Sequence, residues 1–552
     1  MLFKTNNGGA SWTQISPDLT RNDPTKLGSS GGPITQDNTS VEYYCTIFAA
    51  TESATEKDVI WAGSDDGLLH VTRDGGKKWD NVTPPELPEW SQINSIEAHP
   101  TEPGGLYVAA TRYKLDDFKP YLFKTMDYGK TWKQITNGID RKHFTRVVRA
   151  DPNRKGLLYA GTESGLYISF DDGANWESFQ CNVPIVPITD MTIKNGDLIV
   201  ATQGRSFWVL DDLSLLHQWK SDLIEEPAHL FNSRPTLRMR GGGGSRPGRT
   251  SGQNVAGGVP IRFHLKEKPA KGVTTKVMIM NGAGDLVQTY STSPNKDKDE
   301  RSMSADAGMN ELRWNMRYAG AETFEGIVLW GGGTGGPMAV PGTYTAKLVQ
   351  TKNVEPPQAD DTPKAEKQSA KDAKPETQEL LAFETTFEIK PDPRSSATQK
   401  DYDAQFEFLI GVRDKLSEIH ESISSIRDIR NQLKSYAGRL KKDDGNQDLT
   451  KQANELIKKL TAIEEQLYQT KNQSSQDPLN FPIKLNNRLS GLVGVVSAGD
   501  NAPTRQSVEV RDALLAEINP LLKEYREIVS KELKAFNAAV IEAKVPAIFV
   551  EQ

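Results

Sequence analysis

Two periods of apolar residues divide the chain. Up to about residue 213, short segments alternate apolar and polar positions, as in VEYYCTIFAA (41–50), INSIEAHP (93–100) and FTRVVRADP (144–152). A period of two predicts half-buried strands. Each such strand is followed by a second apolar stretch, a small-residue turn and a third: WAGSDDGLLHV (61–71), YVAATRYKLDDFKPYLFK (107–124) and YAGTESGLYIS (159–169). From Leu409 the period lengthens to about 3.5: Leu409, Val412, Leu416, Ile419, Ile423, Ile426, Leu433 and Leu440 predict a long amphipathic helix. Leu449 to Leu467, the stretch 483–497 and the stretch 505–543 predict further helices, separated by the turn signals DDGN, SSQDP and AGDNAP.

A short phrase punctuates the strand-rich part four times: TNNGGASW (5–12), TRDGGKKW (72–79), TMDYGKTW (125–132) and SFDDGANW (169–176). An Asp or Asn that bonds its own backbone, followed by a Gly free to take positive φ, specifies a tight turn. The Trp that closes the phrase buries a large apolar surface beside it. The structural positions are therefore Asn7, Gly9 and Trp12; Asp74, Gly76 and Trp79; Asp127, Gly129 and Trp132; Asp171, Gly173 and Trp176. Four short strands per unit, repeated roughly every 45–65 residues, predict the blades of a β-propeller. A last unit, PITDMTIKNGDLIVATQGRSFWVLDD (187–212), has no such phrase.

The octets resemble the Asp box of BNR-repeat proteins, which include sialidases, some glycoside hydrolases and sortilin-type receptors. The closing ATQGRSFWVLDD extends the resemblance to sortilin N-terminal-like bacterial proteins often labelled glycosyl hydrolases. In those families the box supports the outer hairpin of a blade and does not carry catalysis. The resemblance implies an exported, extracytoplasmic protein (periplasmic, surface-bound or secreted) that binds a polypeptide or a glycan. The alternative it implies is a glycoside hydrolase acting through carboxylates in the propeller channel. MLFKTNNGG matches YLFKTMDYG (121–129) so closely that residue 1 is expected inside a strand, with upstream blades missing and no signal peptide in view.

Propeller geometry says where a ligand would lie. Turns before the inner strands and turns between second and third strands meet on one face. That rule gathers Glu42, Gln92, Asn94, Arg146 and Asp190 from inner strands, and Asp65, Arg112, Asp116, Glu163 and Arg205 from the other turns. Glu42, Asp116 and Asp190 are the catalytic candidates, because glycoside hydrolysis generally wants two carboxylates about 5–9.5 Å apart. Arg112, Asp116, Arg146, Asp190 and Arg205 are the ligand-binding candidates. A sialidase would need three clustered arginines and a Tyr nucleophile, and nothing flanking Arg112, Arg146 or Arg205 supports that. The long, charged and aromatic insertion RYKLDDFKP (112–120) either carries function, as long loops on rigid scaffolds tend to, or clips onto a neighbouring blade.

The expected domains are blades over 1–213, a Gly/Arg-rich flexible connector over 214–258, an Ig-like β-sandwich over 259–390 and an antiparallel helical bundle over 395–545. Residues 238–258 hold eight glycines and four arginines and cannot bury a core. Gly241–Gly244 lacks the lysine and the strand-to-helix setting of a phosphate loop. In the sandwich, NGAGD (281–285) marks a hairpin, Trp314 is expected between the sheets, and Trp330, in a glycine-rich loop, is expected as a buried anchor or, if exposed, as a contact for a partner. The charged, proline-bearing stretch 351–380 is expected to be a disordered insertion. Arg430, at an apolar slot of its helix, is expected to fix register or to pair with a carboxylate across the bundle, and His420 is read as a surface or seam residue rather than a metal ligand.

The remaining composition narrows the function. A net charge of −6 with no basic block argues against a nucleic-acid partner. No apolar run approaches the ~18–20 residues that span a bilayer. Cys45 and Cys181, the two cysteines, make neither a disulfide framework nor a metal site and are expected to be ordinary buried thiols. No cofactor or metal motif is present in the sequence.

Overall fold

The computed structural model describes residues 1–34, 36–37, 43–239, 252–295, 300–354, 376–440 and 447–544. The chain divides into two compact units, Met1–Lys220 and Ser221–Gln552. Among the described residues, no helix is long and apolar enough to cross a membrane.

The first unit is a succession of antiparallel meanders, the strand arrangement of propeller blades. The first complete blade orders Ile47–Glu52, Ile60–Ser64, Leu69–Thr72 and Asp80–Asn81. The second orders Gln92–Ala98, Leu106–Arg112, Asp117–Thr125 and Lys133–Gln134. Thr145–Ala150, Leu158–Thr162, Gly165–Ser169 and Glu177–Ser178 form the third. Ile188–Lys194, Asp197–Thr202 and Phe207–Leu210 form a three-stranded fourth. Ahead of them a two-stranded hairpin, Phe3–Lys4 with Thr13–Gln14, carries the first box.

Second strands are buried on both faces because the next blade lies against them, and this sets their composition. A Cβ on Gly63 would overlap Ile93, and one on Gly161 would overlap Ile188, each from the inner strand of the following blade. Only glycine admits that approach, hence the repeated Ala-Gly pair. The cores run between blades: Trp61, Leu69, Ile93, Val108 and Phe123 share one cluster, and Tyr107, Leu122, Val148, Ala160 and Trp176 share the next.

In the second unit, the expected connector is partly strand. Ala228–Leu230 joins Val259–Leu265 and Gly308–Trp314 in a three-stranded sheet. Thr236–Arg238 pairs in parallel with Glu376–Pro391, the neighbour of Gly342–Val354 in a six-stranded sheet. The connector reading therefore needs correcting over 228–238: Arg238 is buried, donating from Nε to the Ala339 carbonyl (2.8 Å) and pairing with Asp500. Gly241–Gly244 lies outside the described residues. Trp314 is fully buried against Tyr344 and Phe387 in the core that both sheets share. The long hairpin keeps its pairing to Val354 and resumes it at Glu376, so strand replaces the expected disorder at both flanks of 355–375, which themselves lie outside the described residues.

The helical region comprises Gln399–Leu440, Gln447–Leu467, Leu485–Val496 and a long C-terminal helix, Arg505–Glu527, continued through a π-turn at Ile528–Glu532 into Leu533–Glu542. Leu416, Ile423, Leu460, Leu489 and Ile518 share one core with Phe324, which comes from the loop before Gly342. That loop is strapped along the helices. His420, fully buried, bonds the Glu322 carbonyl (2.6 Å), and Asn487 both accepts from the Trp330 amide (2.6 Å) and donates to its carbonyl (2.8 Å). Trp330 is thus held by its backbone while its side chain stays 41% exposed, contrary to a buried anchor. Arg430 pairs with Glu464 across two helices (2.6 Å).

Candidate functional site

The four inner strands share a defect at one position. Pairing with the second strand slips between Ile47 and Ala49, between Ser95 and Ile93, between Thr145 and Val147, and between Ile188 and Asp190. Each blade so carries a β-bulge whose extra residue is Phe48, Asn94, Arg146 or Thr189. Bulges re-aim a side chain and cluster beside functional sites. The four bulges fall at the same end of the inner strands, here termed the mouth, and each re-aims the side chain of its extra residue.

The 112–120 insertion is fastened to this mouth. Its short helical turn, Tyr113–Leu115, ends on Asp116 in the left-handed region. Tyr113 stacks on Phe144 of the next blade with ring centroids 5.0 Å apart, and the Arg146 guanidinium lies within 5.6 Å of both rings' centroids. Arg146 is held in turn by Glu163, with Nε donating to Oε2 at 2.7 Å. On the other side Lys114 donates to Gln92 (3.0 Å), Gln92 to Asn94 (2.8 Å) and Asn94 to Thr111 (2.9 Å). The base of the insertion clips onto the neighbouring blade, while Leu115 and Phe118 remain exposed at 44% and 48%.

The other expected residues are not drawn into one cluster. Arg112 donates to the Glu89 carbonyl (3.1 Å) and lies 3.7 Å from Asp117, and Arg205 donates to the Gly204 carbonyl (2.8 Å). Arg112, Arg146 and Arg205 each have a different acceptor and form no three-arginine pocket through these contacts. Asp65 accepts from the Thr46 amide (2.8 Å), and burial pushes its carboxyl up. Asp116 is exposed at the loop tip, and Glu42 lies outside the described residues.

Asp190 belongs to a group that charge counting along the chain does not reveal. Arg149 reaches from the third blade to Asp190 of the fourth (2.6 Å) and Glu97 of the second (3.6 Å), and donates to Ser95 (2.7 Å) and the Met191 carbonyl (2.6 Å). Burial pushes the Glu97 carboxyl up despite the adjacent guanidinium. One cation between two carboxylates keeps their nearest oxygens under the ~9.5 Å that bounds glycosidase pairs. It also occupies the gap between them. The signal in the sequence was an arginine and a glutamate at the far ends of two inner strands, QINSIEA and TRVVRA.

The boxes sit away from this face. In each, the Ser or Thr hydroxyl accepts from the Gly amide: Gly9 to Thr5 (3.0 Å), Gly76 to Thr72 (2.9 Å), Gly129 to Thr125 (3.0 Å) and Gly173 to Ser169 (2.9 Å). The Asp or Asn accepts from the amide four residues on, at 2.8–3.0 Å. The Lys78 amide and the Thr72 hydroxyl hold the Asp74 carboxyl below its usual range. At Asp127 and Asp171 burial pushes upward, and the bonds from Thr131 and Asn175 outweigh it. Neither cysteine is fully buried, contrary to expectation: Cys45 is half-buried and Cys181 exposed, both at positive φ.

No family model matches the chain. The chain is 26% identical over 225 residues to a xyloglucanase of Hypocrea jecorina (strain QM6a), covering 36% of this chain and 26% of that protein. It is also 26% identical over 182 residues to a probable oligoxyloglucan-reducing end-specific xyloglucanase of Neosartorya fischeri, covering 22% of each. It thus spans about a quarter of the length of the curated relatives it matches. Among solved structures it is similar to YCF48 bound to D1 peptide, at 20% identity and a TM-score of 0.25 over 30% of this chain and 52% of that one. The antiparallel four-stranded meanders of the first unit are the strand arrangement of propeller blades.

Proposed function

We propose that the blades form a glycan-binding surface, with the mouth between the second and third blades as its ligand site, in an extracytoplasmic protein. The observation that carries this reading is the insertion's Tyr113 stacked on Phe144 with Arg146 against both rings. Exposed Phe118 and Leu115 supply apolar faces, while Arg146, Glu163 and Asn94 supply hydrogen-bonding groups around them. Aromatic faces beside a few placed polar groups are what a sugar ring, apolar on its faces and hydroxylated at its edge, requires. The similarity to xyloglucanases favours a β-glucan over a polypeptide. Phe118→Ala combined with Arg146→Ala is expected to weaken retention in xyloglucan-containing native gels at least about tenfold, the equivalent of ~1.4 kcal/mol, with the melting temperature unchanged. Equal retention of wild type and variant contradicts the site.

Hydrolysis is the second reading, favoured by Glu97 and Asp190 flanking Arg149. In it, Glu97 is the acid, because burial raises its carboxyl, and Asp190 the base. Arg149 pairs with both carboxylates and competes for them with any glycosidic oxygen, so we place binding first. Reducing ends released from xyloglucan by wild type, and lost in Glu97→Gln, would reverse that order.

A further inference from the structure

The insertion at 112–120 has a second flank, toward the first blade, with its own aromatic and charged side chains. Tyr44 and Trp90 hold equivalent places there, each shortly before the isoleucine that opens a bulge, Ile47 or Ile93. Their rings meet edge to face with centroids 5.5 Å apart. Trp90 stands at φ +63°. That left-handed backbone is unfavourable for a bulky side chain, and residues held in it collect at ligand clamps. Arg21 and Lys26 lie against the Trp90 ring, 5.3 and 5.8 Å from its centroid. Arg21 in turn donates to the Asp66 carbonyl (2.9 Å) and to Glu89 (3.3 Å). The ring is braced, yet only half-buried.

Polar groups converge on the same place. Arg112 donates to the carbonyl of Glu89, the residue before Trp90, and Lys114 donates to Gln92 just after it. Burial pushes the Tyr44 phenol up, an effect that Asp65 adds to and Arg112 opposes. Burial also pushes the Asp65 carboxyl up, with Lys114 among the groups opposing it. Tyr44, Asp65, Arg112 and Lys114 thus lie within reach of one another's charge. Asp65 occupies the turn position that Glu163 holds in the third blade: Asp65 gives its amide to the Thr46 carbonyl (3.0 Å), and Glu163 gives its own to Phe144 (3.1 Å). The two flanks therefore repeat one plan. Tyr44 and Trp90 with Asp65 and Arg112 stand on one side, Tyr113 and Phe144 with Glu163 and Arg146 on the other. We propose that Tyr44, Asp65, Trp90, Arg112 and Lys114 form a second sugar subsite, so that the ligand is an oligosaccharide long enough to lie across the insertion. The assignment rests on the glycan-binding reading and adds a preference for chain length to it. Trp90 offers an apolar face, and Tyr44, Asp65 and Lys114 offer donors and acceptors to ring hydroxyls.

Affinities for xyloglucan oligosaccharides of increasing length, measured by isothermal titration calorimetry, test the second subsite. The unaltered protein is expected to bind long oligosaccharides more tightly than the shortest. Trp90→Gly suits the left-handed backbone and is expected to weaken a long ligand at least about tenfold, leaving the shortest unaffected. Tyr44→Phe removes one hydroxyl and is expected to weaken the long ligand about threefold, a check that does not depend on how Trp90→Gly folds. Phe118→Ala with Arg146→Ala should weaken short and long ligands alike. Equal affinity at every length, or a long ligand indifferent to both Trp90→Gly and Tyr44→Phe, overturns the second subsite and leaves the first standing. No binding at any length overturns both.

Discussion

At the scale of single residues, the box aspartates and the buried histidine make opposite demands on sequence reading and the same demand on pH. Asp127 takes the Thr131 amide and both the Thr125 and Thr131 hydroxyls (2.7–2.9 Å). Asp127→Ala removes all three, and an expected loss of about 1–3 kcal/mol in urea denaturation follows from stranding the donors, with glycan affinity unaltered. Trp176 donates its indole N–H to the Ile135 carbonyl (2.8 Å), so Trp176→Phe leaves that carbonyl without its donor and should cost a similar amount. For His420 the folded value is lowered from 6.5 by burial. Neutral imidazole is favoured in the fold, so the unfolded chain binds the extra proton. The stability this contributes is present above about pH 6.5 and is lost as pH falls below it. Its bond to the Glu322 carbonyl identifies what loosens: the strap that includes Phe324. His420→Gln should flatten the pH dependence of helical-region unfolding between pH 7 and 5, and an undiminished slope would contradict it. The box turns were legible because each is made within eight consecutive residues. His420 was not, because its partners, Glu322 and Asn486, lie 98 and 66 positions away.

At the scale of elements, the strand and helix periods were read from the sequence, and what joins them was not. A bulge is a one-residue slip between two strands, visible only when both are paired, so Asn94 and Arg146 emerged as mouth residues through a rule about turns. The Arg149 tie was missed for a similar reason: its three carboxylate and hydroxyl partners come from two other blades. The strap at 319–333 reads as a glycine-rich loop because the helices that bind it are distant in sequence. Its Phe324 shares the helical core, packing edge-on to His420 and Tyr468 at centroid distances of 5.4 and 5.0 Å. Phe324→Ala is expected to cost about 3–5 kcal/mol by opening a cavity. Chemical denaturation followed by helical circular dichroism measures it, and a loss under ~1 kcal/mol would show that the strap does not support the helices.

At the scale of the whole molecule, the boxes close the outer hairpins of the blades, and the proposed function places the ligand on the inner strands, two separate uses of one repeat. Box substitutions should lower stability without changing glycan affinity, and mouth substitutions should do the reverse. The most direct measurement is amide hydrogen exchange of the full chain with and without a xyloglucan oligosaccharide. The glycan-binding account predicts added protection at residues 112–118 and 144–146, with none at the box hairpins 125–132 and 169–176. Saturating oligosaccharide that leaves 112–118 and 144–146 unprotected, or that protects the box hairpins instead, would contradict it.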